Sequence, residues 1–356
     1  MVNLIRKISE KFCIQGNFIC AENYGRGHIN DTYLASFSDG EHRIIQKINS
    51  FVFKNPELVM ENMVKVISHL IMKIFKEGGD AKRETLNLIA ARDGLPYHID
   101  GDGNYWRAFL FIEDSFSYEK IEKGNDLYDT GLIFGKFQRL LSDFKASELH
   151  HTIPDFHNTK IRYENLFKAV SADIAGRVNR ALPEIKFIEE RREYSALIQD
   201  QLDASLLPLR VTHNDTKLNN VLFDCNTRKP LCVVDLDTVM PGSILFDFGD
   251  AIRTGASTAE EDETDLSKVS FDLDSFKAFA EGFLEEAGSI ITERERDCLP
   301  ISAVVLSYEQ GIRFLADYLE GDRYYKTSRD DHNLDRCRTQ LKLVKEMEEI
   351  LRNYKF

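Results

Sequence analysis

Apolar positions fall into two regimes along the chain. Leu4, Ile5, Ile8 and Phe12 recur at helical spacing and predict a short N-terminal helix. Two extended runs follow, 18–24 and 31–37, separated by Gly25-Arg26-Gly27-His28. A Ser38-Asp39-Gly40 turn then leads into a third strand over 43–48. Leu58, Met63, Val66, Ile67 and Leu70 mark a helix, and a strand over 106–112 ends this part. Beyond it the period is mostly helical. Leu132, Ile133, Phe134, Phe137, Leu140 and Leu141 line one amphipathic helix, and 163–178 suggests another. A short β insert spans 210–237, and further helices are predicted over 274–286, 299–320 and 334–352.

The pattern is that of an α+β protein with two lobes. A small β-rich half, 1–113, adjoins a large, mainly helical half, 114–356, with no Gly/Pro-rich break between them. Two lobes joined in this way are expected to share a cleft, a usual place for a ligand. With 43% hydrophobic and 29% charged residues the composition is that of an ordinary globular chain. Charge changes the picture more. A formal net charge of -13 repels nucleic acid and anionic membrane, so neither is an expected partner. An anionic substrate then needs a local cationic or metal-bearing pocket.

Six cysteines, at 13, 20, 225, 232, 298 and 337, form no C-x-x-C pair and are too sparse for a disulfide scaffold. Reduced structural thiols and a cytoplasmic location are expected. The N-terminus lacks the apolar core of a signal peptide, and no apolar run approaches the roughly 18 residues of a membrane helix. A monomer or weak homodimer is the expected state.

Chemistry concentrates in Val211-Thr212-His213-Asn214-Asp215-Thr216-Lys217-Leu218-Asn219-Asn220-Val221-Leu222, followed by Leu231-Cys232-Val233-Val234-Asp235-Leu236-Asp237. The frame is H-x-D-x-K-x-x-N, then an apolar strand ending in D-x-D. Phosphoryl transfer needs few parts: a carboxylate that orients the attacking hydroxyl, cations on the phosphate oxygens, and ligands for Mg²⁺. Hard Mg²⁺ takes carboxylate and amide oxygens. Asp215 fits the base, Lys217 the γ-phosphate cation, and Asn220, Asp235 and Asp237 the metal set. The step from Asp215 to Asn220 matches the Asp-to-Asn interval of the kinase catalytic loop. Asx residues often cap helices or make turns, but capping alone does not produce His, Asp, Lys, Asn and a strand-terminal Asp in one register. Asp247-Phe248-Gly249 spells the kinase metal triplet, yet it lies after the insert has closed. Asp247 and Asp250 are therefore expected to cap a helix or pair with Arg253.

These strings, with Asp235-Leu236-Asp237-Thr238-Val239-Met240-Pro241-Gly242 and Gly311-Ile312-Arg313-Phe314-Leu315-Ala316-Asp317-Tyr318, resemble the aminoglycoside phosphotransferase superfamily. Within it they look like bacterial N-acetylhexosamine 1-kinases. The resemblance runs from Tyr24-Gly25-Arg26-Gly27-His28 to the C-terminal helix. It implies a kinase-like bilobal fold and the reaction of ATP with GlcNAc or GalNAc to give the sugar 1-phosphate.

It also implies sugar contacts from His28, Arg313 and Tyr324, and a substrate-side place for Thr254, where an aromatic ring is expected. From spacing alone Arg313 and Asp317 read as an i, i+4 ion pair. Gly25 and Gly27 fit a turn whose N–H groups face phosphates. Phe111 and Ile112, at the end of their strand, are expected at the nucleotide. On the third strand, register on the V-A-I-K pattern puts Gln46 where the phosphate-gripping lysine usually stands, with Lys47 on the opposite face, so either the neutral amide grips the phosphates or Lys47 does after a one-residue register change. Glu57 and Glu61 are both open as its helical partner. Two alternatives remain: a kinase for a cationic acceptor such as an aminoglycoside, choline or amino alcohol, and a nucleotide-binding pseudokinase.

Overall fold

Alternating side chains from Phe18 onward build the first sheet. The computed structural model describes residues 1–25, 29–118, 124–352 and 354–356. In it β1 (Phe18–Asn23), β2 (Asp31–Phe37) and β3 (His42–Lys47) pair antiparallel in chain order. Short strands β4 (Leu88–Ile89) and β5 (His98–Ile99) and the longer β6 (Tyr105–Leu110) complete the order β1-β2-β3-β6-β4, with β5 also on β6. One face buries Ala35, Ile45, Trp106 and Ala108 against Ile5 and Ile8 of α1 (Val2–Ser9). Phe12 joins that core, but from beyond the helix, where it bridges Ala91.

The register from His42 to Lys47 is regular on both sides, setting Gln46 opposite Thr32 and Arg107. No one-residue slip occurs, so Gln46 and Lys47 point to opposite faces. Lys47 shares its face with Ile45 of the α1 core, and Gln46 looks the other way. Helix α2 (Pro56–Lys76) starts with Pro56 at its first turn and buries Val59, Met60, Met63, Val66 and Leu70.

Two compact units emerge from the chain. The first holds 1–118, 140–153 and 219–241; the second holds 119–139, 154–218 and 242–356. The first therefore includes the hairpin Val221–Asp224 and Pro230–Val233, which also pairs with Ser115–Phe116. The second is helical. Its longest helix, Glu293–Leu319, opens with a capping box between Thr292 and Glu295. It packs on Thr159–Ala172, Ile244–Gly255 and His332–Leu351. Pattern reading missed Ile244–Gly255 and overran Thr159–Ala172. The latter stops because Asp173 takes a left-handed conformation, φ 38°. Close helix contact explains one glycine here: a Cβ on Gly131 would stand 2.1 Å from the carbonyl oxygen of Phe279.

Candidate active site

The H-x-D-x-K-x-x-N segment begins in the second unit as a loop held rigid from below. Asp247, fully buried, accepts the backbone N–H of His213 at 2.9 Å and of Asn214 at 2.7 Å, and Gln138 Nε2 at 2.6 Å. Burial pushes its carboxyl pKa up, against the pull of His213 and these donors. Asp250 accepts Thr216 N–H at 3.0 Å and the Arg253 guanidinium through Nε and Nη2 at 3.0 and 2.8 Å. Burial also opposes its charge, but Arg253, then Lys217 and His157, outweigh it, and its pKa is lowered. The expected Asp250–Arg253 pair is thus present. Asp247 serves the loop above it, while the helix itself is capped by Ser243.

Between these supports Asn214 sits at φ 65°, a left-handed value that Asx residues tolerate best. His213 meets the rings of Phe134 and Phe137 edge-on and takes the Asp215 N–H on Nδ1 at 3.3 Å. Asp215 emerges half-buried, its Oδ1 2.6 Å from Lys217 Nζ. The Asp215 carboxylate raises the Lys217 pKa and keeps that ammonium charged. A second brace was not legible in the pattern. His157 spans Glu309 Oε1 at 2.8 Å and the Asn214 carbonyl at 3.2 Å, and Thr159 Oγ1 donates to Glu309 Oε2 at 2.6 Å.

On the same long helix as Glu309, Arg313 Nη1 donates to Gln310 Oε1 at 3.2 Å, and its guanidinium lies 5.3 Å from the Phe156 ring centre and 6.0 Å from that of Tyr325. Asp317 is not its partner. That carboxylate accepts the backbone N–H groups of Arg323, Tyr324 and Tyr325 and the amide of Asn333. It thereby fixes the loop from which Tyr324 projects, 59% exposed. The Thr254 hydroxyl donates back to the carbonyls of Asp250 and Ala251.

The first unit carries the remaining candidates. Asn220 and Asp235 flank the hairpin, and the Val234 N–H donates to the Asn220 carbonyl at 2.9 Å. Asp235 is exposed in a left-handed turn, φ 60°. Asp237 differs: it is buried, and both its oxygens are taken by Arg107, at 2.5 and 2.9 Å, with Asn30 Nδ2 adding 2.6 Å. Arg107 also donates Nε and Nη2 to Gln46 Oε1, whose amide donates to Thr32 Oγ1. Neither helical glutamate reaches Gln46, since Glu57 accepts from Tyr105 Oη and Glu61 pairs with His150. Arg107 was missed; its only signal is one charge inside the apolar run Trp106-Arg107-Ala108-Phe109.

Phe111 meets the Tyr24 and His42 rings edge-on, and the Ile112 carbonyl accepts Ser115 Oγ at 2.5 Å. Gly25 has φ 72°, a value glycine adopts without strain. Gly27 and His28 lie outside the described residues. Among the described residues no group of three or more His, Cys, Asp or Glu could hold a metal, and no helix is long and apolar enough to cross a membrane.

Residues 22–280 match the phosphotransferase enzyme family. The fold is also similar to solved structures at low identity. A spectinomycin phosphotransferase in complex with ADP and spectinomycin is 13% identical, with a TM-score of 0.61 and 99% of each chain covered. A microcompartment-associated aminopropanol kinase is 13% identical, TM-score 0.63, over 98% of this chain and 97% of that one. Choline kinase from Cryptosporidium parvum is 15% identical, TM-score 0.57, over 99% and 96%. A family match over most of the sequence and a common fold over nearly all of it lead to one statement: the chain belongs to the phosphotransferase enzyme family.

Proposed function

We propose that this protein transfers the γ-phosphate of ATP to the anomeric hydroxyl of an N-acetylhexosamine, GlcNAc or GalNAc, forming the sugar 1-phosphate. One observation carries the choice of acceptor. The Arg313 guanidinium lies near the Phe156 and Tyr325 rings and donates to the Gln310 amide oxygen, with the buried Glu309 carboxylate in electrostatic reach. A fixed cation there repels an ammonium and suits hydroxyl and acyl oxygens. The cationic acceptors of the aminopropanol and choline kinases named above favour the second reading, an amino-alcohol or aminoglycoside kinase. Arg313 weighs against it.

In this reading Asp215 orients the acceptor hydroxyl and takes its proton. Its support from Asp247, Asp250 and His157 leaves the loop little freedom, as a positioned base requires. Lys217, which lies on Asp215 here, turns its ammonium to the transferring phosphate when nucleotide is present. Asn220 and Asp235 suit Mg²⁺ as an amide and an exposed carboxylate at the two ends of one hairpin, which the Val234 N–H to Asn220 carbonyl bond closes. When bound, Mg²⁺ neutralises charge on the phosphate oxygens. Asp237 is withdrawn from the metal set, since its oxygens are already engaged by Arg107.

Phosphorus and anomeric-proton NMR of the product from ATP with GlcNAc, GalNAc and an aminoglycoside tests the proposal. An α-face or β-face 1-phosphate of either hexosamine is the expected product. In the same assay 1-deoxy-GlcNAc should compete with the sugar and receive no phosphate. Transfer to another hydroxyl of that analogue, or to the aminoglycoside alone, overturns the 1-kinase reading.

A further inference from the structure

The first unit holds a buried charge pair in an unusual place. Protein kinases join a third-strand lysine to a glutamate of the adjacent helix. Here the strand position is Gln46, and the facing residues of α2 are Met60 and Met63, whose sulfurs lie 3.7 and 3.8 Å from Arg107 Nη1. The cation has moved one strand over, to Arg107, which the ladder sets directly opposite Gln46. The anion has moved to Asp237, two residues beyond Asp235.

We infer that Arg107 and Asp237 are positioning residues that hold the metal-side turn and Asn30 in one geometry, with Asp235 as the carboxylate that meets the metal. The inference rests on the phosphotransferase reading and not on the identity of the acceptor.

Three features support it. The pair is almost wholly buried, with 2% and 3% of its side-chain surfaces exposed, and both Asp237 oxygens already accept hydrogen bonds from Arg107 or from Asn30. Every donor on the Arg107 fork has an acceptor: Asp237 takes Nη1 and Nη2, and Gln46 takes Nε and Nη2. Such a planar fork fixes direction as well as charge. Finally, the Asp237 carboxylate also holds Asn30, whose own oxygen accepts Asn49 N–H at 2.9 Å. One carboxylate thus ties β6 both to the turn carrying Asp235 and to the residue that follows Gly25 to Ile29.

The test uses the whole protein and no acceptor. Mn²⁺ binding in the presence of ADP is followed by electron paramagnetic resonance, ADP affinity by calorimetry, and folding by near-UV circular dichroism. Outer partners of metal ligands typically contribute about 10- to 100-fold to affinity. Arg107→Gln and Asp237→Asn should each weaken Mn²⁺·ADP binding by that factor. Because they break one unit, the double variant should be no weaker than the worse single. Arg107→Lys keeps the charge but loses the fork, and should fold and bind about 10-fold more weakly than wild type.

Should the single variants fail to fold, Arg107→Lys and the charge-free double variant decide the matter. Wild-type binding by Arg107→Lys overturns the inference. So does Asp237→Asn abolishing Mn²⁺ binding while Arg107→Gln leaves it unchanged or tighter, which makes Asp237 a ligand. A wild-type protein that binds no Mn²⁺·ADP instead fails the phosphotransferase reading itself.

Discussion

Asp235-Leu236-Asp237 and Asp247-Phe248-Gly249-Asp250 carry the same carboxylates a few residues apart, and they do opposite work. In the first, one aspartate is exposed in a left-handed turn and the other is neutralised by Arg107. In the second, both are buried, and every contact they make is internal. Asp247 holds the backbone of His213 and Asn214, and Asp250 holds Thr216 and Arg253. Phe248 packs edge-on against Phe276, Phe279 and Phe283, and a Cβ on Gly249 would stand 2.6 Å from the Ser302 carbonyl. Every residue of the apparent kinase triplet therefore has a packing or bracing task. Which carboxylate faces solvent and which is taken up inside is decided by neighbours, not spelling.

The contrast breaks first at Asp235. Asp235→Ala should lower kcat by at least about 10³-fold, since bound metal supplies several kcal/mol to the transition state. Its melting temperature should stay within a few degrees of wild type. Asp247→Ala should do the reverse, lowering the melting temperature without raising the Mg²⁺ concentration needed for half-maximal rate. A raised Mg²⁺ requirement in Asp247→Ala, with Asp235→Ala active, means that the two motifs have been exchanged.

Asp250 tests the buried half. Removing one partner of a buried ion pair costs about 3–5 kcal/mol, so urea unfolding of Asp250→Asn at pH 7 should show a loss of that order. The pH dependence has a definite sign. A carboxylate with a lowered folded pKa stabilises above its ordinary value, near 3.8, and loses that contribution as pH falls through the folded value. The gap between wild type and variant should therefore close below about pH 4. A gap that stays constant into acid means that the loss comes from packing and not from charge.

The smallest effect belongs to Gly249→Ala. Forcing a methyl against the Ser302 carbonyl should destabilise by about 1–3 kcal/mol, while turnover per folded molecule stays at the wild-type level. A lost metal dependence in that variant would restore the triplet to catalysis.

Much of this was readable in one dimension. Local spacing alone marked β2 and β3, the hairpin and the long C-terminal helices, because period and turn chemistry are properties of adjacent residues. The interval from His213 to Asn220 marked the candidate catalytic loop for a similar reason, since a loop that serves one chemistry keeps its residues together. Asp250 pairing with Arg253 was equally local, one turn of helix apart.

Other features had to wait for tertiary structure. Arg107 and Asp237 lie 130 positions apart and meet only because the turn after the hairpin is brought to β6. His157 and Glu309 are separated by 152, and nothing near either one in the chain signals the brace behind Asn214. The choice between Asp235 and Asp237 is likewise invisible in D-x-D. The sequence determined which groups can ionise and, where the period is strong, which segments are helix or strand. Packing decided which charges were neutralised, since burial without a partner costs so much that each enclosed carboxylate must find one.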